Sequence, residues 1–390
     1  MVRDHPLVLD SKPQAVISRK EKIFFPNLDG LRFFSFFSVY LFHVYLLLFD
    51  KYQPGTGSHR IMRFLFQNGE IGVNFFFVLS GFLITYLLIE EKKLTGKIHI
   101  GNFYIRRILR IWPLFYLCLI FGFVIYPFIK NFSGGELFVT ANPWTYFVFL
   151  NNFDFLYNGA PAIISVLWSV AIEEQFYLMW PLVLGLLPLK KFSYAFFIII
   201  AGSIIFRAFN VQHERVLQFH TLAVIGDMAL GGLLAYYCIF NTAFKQAIVQ
   251  LSKPAIACIY LAALAVFFFR KEVFTGILPV VERIIIASIF GMIILEQNFS
   301  KNSFFKMSRW KVISKMGTYT YGLYCLHVIA MTITEMGLSK AGLNIKETLP
   351  GLLVGFLAIF VVTGIALASY HLFEKRFLRL KDRFAFIVKK

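Results

Sequence analysis

Long apolar stretches recur along the whole chain, and they leave it little choice of fold. Crossing a bilayer as a helix takes about 20 mostly apolar residues. Ten stretches qualify, at residues 28–50, 69–90, 109–129, 165–188, 194–210, 219–239, 254–269, 279–296, 317–336 and 350–373. Backbone groups in lipid must be satisfied within the segment, so each is expected to be a helix. The expected fold is all-α, a polytopic membrane bundle of about ten transmembrane helices. Residues 143–156 are aromatic but short and broken by Asn and Asp, and read as interfacial or re-entrant. With 58% hydrophobic and 15% charged residues, the composition excludes a disordered chain and argues against a soluble enzyme.

The net charge of +18 must then be tested as a topology signal before nucleic acid is considered. With the N-terminus inside, the alternate connecting segments carry 27 Lys and Arg on the inner side and 10 on the outer side. That asymmetry sets both termini in the cytoplasm, accounts for the basic excess and removes the case for nucleic acid. Residues 1–27 and 374–390 read as cytoplasmic basic tails around a membrane domain at 28–373, in the inner (cytoplasmic) membrane. The first 22 residues hold Arg3, Lys12, Arg19, Lys20 and Lys22 without an apolar core, which is not a cleavable signal. Cys118, Cys238, Cys258 and Cys325 lie in separate apolar stretches with no C-x-x-C pair. Neither a disulfide framework nor a metal site is expected.

Ionisable residues inside spans are costly and mark interiors or wet cavities. In the first span Asp29 lies i,i+3 from Arg32 and can orient it. Arg32 and His43 are eleven residues apart, three turns plus about 20°, so they share one face with a rise of about 16 Å. An imidazole there suits a general base; a structural hydrogen bond to a neighbouring helix is the alternative. Ser80-Gly81 in a Phe-rich span reads as close helix packing, since no base for a nucleophilic Ser80 stands next to it. Arg107 and Arg110 share a face, as do Arg106 and Arg110. Their forks match phosphate oxygens, although positive-inside anchoring or contact with anionic lipid headgroups would also place them there. Glu173 and Glu174 are 100° apart and cannot both face one point, so at least one is expected to pair with a base or a polar ligand. Asp227, Glu282, Arg283, His327 and Glu374 read as interhelical bonds or anchors.

Taken in order, six segments carry a more specific signal: Arg32-x10-His43, an FFxLSGF-like run at Phe76 to Phe82, Arg107-x-x-Arg110, WSVAIEEQFYLMWP at Trp168 to Pro181, YGLYCLH at Tyr321 to His327 and SYHLFEK at Ser369 to Lys375. The set resembles the integral-membrane acyltransferase-3 family, which includes O-acetyltransferases of bacterial surface polysaccharides, from Leu28 to about Glu374. The resemblance implies ten spanning helices, cytoplasmic acyl-CoA (acetyl-CoA or another) as donor, and an acceptor hydroxyl often reached from the outer side. It implies that His43 and Arg32 are essential and that Arg107 and Arg110 engage the donor. Some relatives carry an esterase-like domain after the last span. Without one, this chain is expected to hand the acyl group to a partner or transfer it directly.

On the combined reading the protein is an O-acyltransferase acting on a carbohydrate or glycolipid acceptor. The candidate catalytic residues are His43, Arg32, Asp29 and Glu173, with Glu173 expected to orient His43 or bind the acceptor. The candidate donor site is Arg107, Arg110, Arg106 and Ser80. The candidate acceptor site is Glu174, Tyr177, Trp168 and His327. The competing class is a secondary transporter or flippase for a glycolipid or acyl carrier, which also uses intramembrane His, Glu and Arg. Against it, no internal repeat or pair of broken helices is visible.

Overall fold

The computed structural model describes residues 25–132, 141–158 and 162–384. Residues 1–24 of the first expected basic tail and 385–390 of the second lie outside the described residues. Ten long helices follow one another: α1 Pro26–Val44, α2 Ile71–Thr95, α3 Ile100–Ile120, α4 Leu167–Leu186, α5 Phe192–Phe209, α6 Thr221–Phe240, α7 Lys253–Val273, α8 Pro279–Phe299, α9 Thr320–Lys340 and α10 Thr348–Ser369. No strand occurs among the described residues. Wider π-type turns extend α1 through Tyr45–Asp50, α3 through Phe121–Ile125 and α10 through Tyr370–Glu374.

The ten long helices correspond to the ten apolar stretches. By length and composition, however, seven helical segments are apolar enough to cross a membrane, or eight if the bent pair Thr242–Val249 and Lys253–Val273 is one span. The two outside this set, α4 and α8, carry Glu173 and Glu174, and Glu282, Arg283 and Glu296. Segment 143–156 forms two short helices, Pro143–Phe147 and Asn151–Tyr157, far too short to span. They leave Trp144, Phe147, Val148 and Tyr157 exposed.

Local chemistry sets several boundaries. Pro stands in the first turn of α1, α7 and α8, where no N–H is needed. Gly96 ends α2 in the left-handed region (φ 78°). Lys92 closes the end of α4 by donating to the carbonyls of Leu184 at 2.9 Å and Leu187 at 2.6 Å. Helix α2 crosses α6 at close range. A Cβ on Gly81 would stand 1.9 Å from the Met228 carbonyl oxygen, and one on Gly231 would stand 2.0 Å from that of Val78. The small residues beside Ser80 thus bring two backbones together.

Side chains tie several connecting segments together. Asn27 bonds Gln297 and Ser308, and Arg106 donates to the Phe384 carbonyl at 2.8 Å. Thr348 donates to Gln53 at 2.8 Å, and Arg270 pairs with Glu70 at 2.6 Å.

Candidate active site

Two cavities are stacked inside the bundle. The first is small, about 140 Å³, and lined by Arg32, Ser80, Arg107, Arg110, Glu173 and Tyr177 among others. Arg32 is held by the Asp29 carboxylate one turn earlier on α1. Tyr177 hydrogen-bonds Ser80 across the α2–α4 contact. The Arg107 guanidinium lies over the rings of Phe103 and Tyr177, 5.4 and 5.5 Å from their centroids. Its Nε is buried with no partner. Among the described residues neither Arg107 nor Arg110 has a hydrogen bond or ion pair. An unpaired guanidinium in a membrane protein's interior is expensive. Arg107, Arg110 and Arg32 on one cavity wall, with Glu173 among them, carry the donors that an anion with several oxygens needs.

The second cavity is larger, about 690 Å³, and lined by His43, Glu70, Trp168, Gln218, Phe219 and others. Val73 and Tyr324 line both cavities, so the two meet there. Tyr324 is held at this junction by Ser169, 2.7 Å from its hydroxyl. Trp168 stands with its ring edge-on to that of Phe219, 4.9 Å between centroids.

His43 does not face outward alone. Its Nδ1 lies 2.9 Å from the Val39 carbonyl oxygen and 3.2 Å from Nε2 of His327. Nδ1 of His327 lies 2.6 Å from the Tyr324 carbonyl oxygen. A carbonyl only accepts, so each Nδ1 carries the proton. With both rings neutral, Nε2 of His327 is a lone pair that accepts from His43. Nε2 of His43 is then left as a lone pair with no partner among the described residues. That is the tautomer a general base needs, fixed by a second group behind it.

The acyltransferase-3 family model, described as an acyltransferase domain, matches residues 25–371. The chain belongs to the acyltransferase-3 family. It is similar to the peptidoglycan O-acetyltransferase OatA of Listeria monocytogenes, 27% identical over 342 residues that cover 81% of this chain and 51% of that protein. It is also similar to the putative peptidoglycan O-acetyltransferase YrhL of Bacillus subtilis, 35% identical over 180 residues covering 43% of this chain and 25% of that one. The O-acetyltransferase OatA of Staphylococcus aureus is 35% identical over 172 residues, with 42% and 25% covered. The chain thus spans about half the length, or less, of these relatives. No solved structure matches it. Family membership and the apolar helices make this a multi-pass membrane protein of that family, and the carrier reading is not favoured.

The structure divides the residues picked from the acyltransferase-3 motifs. Arg32, Ser80, Arg107, Arg110, Glu173 and Tyr177 meet in the first cavity, and His43 and Trp168 in the second. Three stand elsewhere. Arg106 does not line either cavity and pairs instead with Glu91 at 3.1 Å. Glu174 accepts from Trp112 Nε1 at 2.9 Å and keeps a buried Oε1 without a partner. His327 is fully buried behind His43. The expected Glu173–His43 contact gives way to the His327 bond, because Glu173 sits in the other cavity among the arginines. Sequence reasoning did not select Val73 or Ser169, nor the charged residues Glu70 and Arg270. Tyr324 was within reach, since it lies i,i+3 from His327 in the YGLYCLH run.

Proposed function

We propose that this acyltransferase moves an acetyl or other acyl group from acyl-CoA to a hydroxyl of a cell-envelope glycan, with His43 as general base. The observation that carries the reading is the pair of cavities meeting at Val73 and Tyr324, with unpaired guanidinium groups in one and a free imidazole nitrogen in the other. The phosphates of coenzyme A are the anion for Arg107 and Arg110, and Arg32 adds a third positive charge. The thin pantetheine arm then runs past Val73 and Tyr324. Arg32 and His43 are separated by about 16 Å along α1, comparable to the reach of that arm. The acceptor hydroxyl oxygen attacks the thioester carbon while His43 Nε2 takes its proton. The same proton then goes to the departing sulfur, and the products are an ester and a free thiol. His327 holds the ring of His43 and its tautomer throughout.

In this reading the chain crosses the cytoplasmic membrane ten times with both termini in the cytosol. The basic bias of the inner segments supports that orientation. The names of the relatives make peptidoglycan the first acceptor to try. The test is to supply membranes with isotopically labelled acetyl-CoA and to follow label into glycan by mass spectrometry. Covalent label is expected with the native protein and background label with His43→Ala at matched protein level. Undiminished labelling by His43→Ala would remove its role as base, and glycan movement without label would restore the carrier reading.

A further inference from the structure

A third cavity, about 510 Å³, opens beside the His43 cavity, and Glu70, Glu214, Gln218 and Lys271 line both. Each is within the range of a pocket that holds one small ligand, and together they exceed what one sugar ring needs. The polar wall between them differs in kind from the arginine cavity. Glu70 accepts from Arg270 at 2.6 Å and from Gln218 at 2.5 Å, and Arg270 also pairs with Glu282. Arg207 gives its donors to the carbonyls of Leu217, Pro279 and Val280 at 2.8, 2.5 and 3.1 Å. Glu214 and Lys271 stand exposed, while Glu70, Glu282, Arg207 and Arg270 pair with one another or with carbonyls and are held in place. What they offer a ligand is a fixed array of donors and acceptors, suited to uncharged hydroxyl and amide groups rather than to an anion. One donor remains unmet. Arg283 lines this cavity, is 7% exposed, and has a buried Nε with no partner although its NH2 reaches Asp227 at 2.5 Å.

We propose that the acceptor is engaged as an uncharged oligosaccharide spanning both cavities. The reacting sugar lies beside His43, and the neighbouring sugar lies in the cavity of Glu70, Arg270 and Arg283. The proposal rests on the acyltransfer reading above and adds the length and charge class of the acceptor. Because Arg270, Glu282 and Asp227 hold helices together, they are poor probes. Thr275 lines only the third cavity and is exposed, so Thr275→Trp fills that space without disturbing the core.

The probes are N-acetylglucosamine and its β-linked tetramer, offered to the full chain in lipid nanodiscs. Calorimetric binding and labelled acetyl transfer are both measured. The tetramer is expected to bind, and to react in kcat/KM, at least about tenfold better than the monomer, a step of about 1.4 kcal/mol. Thr275→Trp is expected to erase that advantage while leaving the monomer unchanged. Equal binding of monomer and tetramer overturns the proposal, as does a Thr275→Trp variant that keeps the preference, a preference for phosphate-bearing glycans, or no binding of either probe. Preferential binding of the tetramer without acetyl transfer would spare the subsite and sink the acyltransfer reading. Transfer without a length preference would do the reverse.

Discussion

If His327 acts only by holding His43, its removal has a defined size. The bond at stake is the 3.2 Å contact from His43 Nδ1 to His327 Nε2. Leaving a buried donor with no partner costs about 1–3 kcal/mol. Nδ1 is not left bare, however, because the Val39 carbonyl remains 2.9 Å away. The loss should therefore fall near the net value of one intramolecular bond, about 1 kcal/mol. At 1.36 kcal/mol per factor of ten, His327→Ala should lower kcat about five- to tenfold. KM for acyl-CoA should hold, since Arg107 and Arg110 are untouched. His327→Gln keeps an acceptor oxygen at similar reach and should recover most of the rate. His43→Ala removes the base itself and should cost a factor of about 10²–10⁴.

The assay is labelled acetyl transfer in nanodiscs at matched protein content, with donor concentration varied to separate kcat from KM. The double variant His43→Ala/His327→Ala decides the matter. A residue that works only through His43 adds nothing once His43 is gone, so the double variant should equal His43→Ala alone. Additive losses, or a His327→Ala enzyme with full kcat, would refute the tautomer argument.

Arg107→Ala should raise KM for acyl-CoA about tenfold or more, in line with the roughly 1.5–3 kcal/mol of a hydrogen bond to a charged group; a variant altered only in protein level would point to anchoring instead. Arg106→Ala, which breaks the Glu91 pair, should affect the amount of folded protein and leave that KM alone. Gly81→Ala places a Cβ where the Met228 carbonyl oxygen stands 1.9 Å away. Its overpacking cost should lie at the upper end of about 1–3 kcal/mol, because backbone cannot yield as a side chain does. A clear drop in melting temperature in detergent is expected, and an unchanged melting curve would show that the crossing is looser than drawn.

How far the site could be read without coordinates depends on whether a property is local to one helix. Helical periodicity alone puts Arg32 and His43 on one face, and both do line the stacked cavities. The same holds for Asp29 beside Arg32 and for the small pair Ser80-Gly81 at a close crossing. The partner of His43 is a different matter. His327 lies 284 residues away, and no spacing rule links the two, so a glutamate was the natural first choice. Arg106 and Arg107 differ by one 100° step. Only the position of Glu91 on α2 shows that one is neutralised while the other keeps an unmet donor.

Looking for polar residues in apolar spans therefore selects too widely. Asp227 and Arg283 satisfy it as well as Arg107 does, and they hold each other in an ion pair. What separates a structural charge from one reserved for a ligand is hydrogen-bonding capacity left unspent after every neighbour has been counted. That quantity belongs to the assembled bundle rather than to any stretch of residues. By it, Arg107 and Nε2 of His43 qualify, one suited to an anion and the other to a hydroxyl, and Arg283 Nε and Glu174 Oε1 qualify with them.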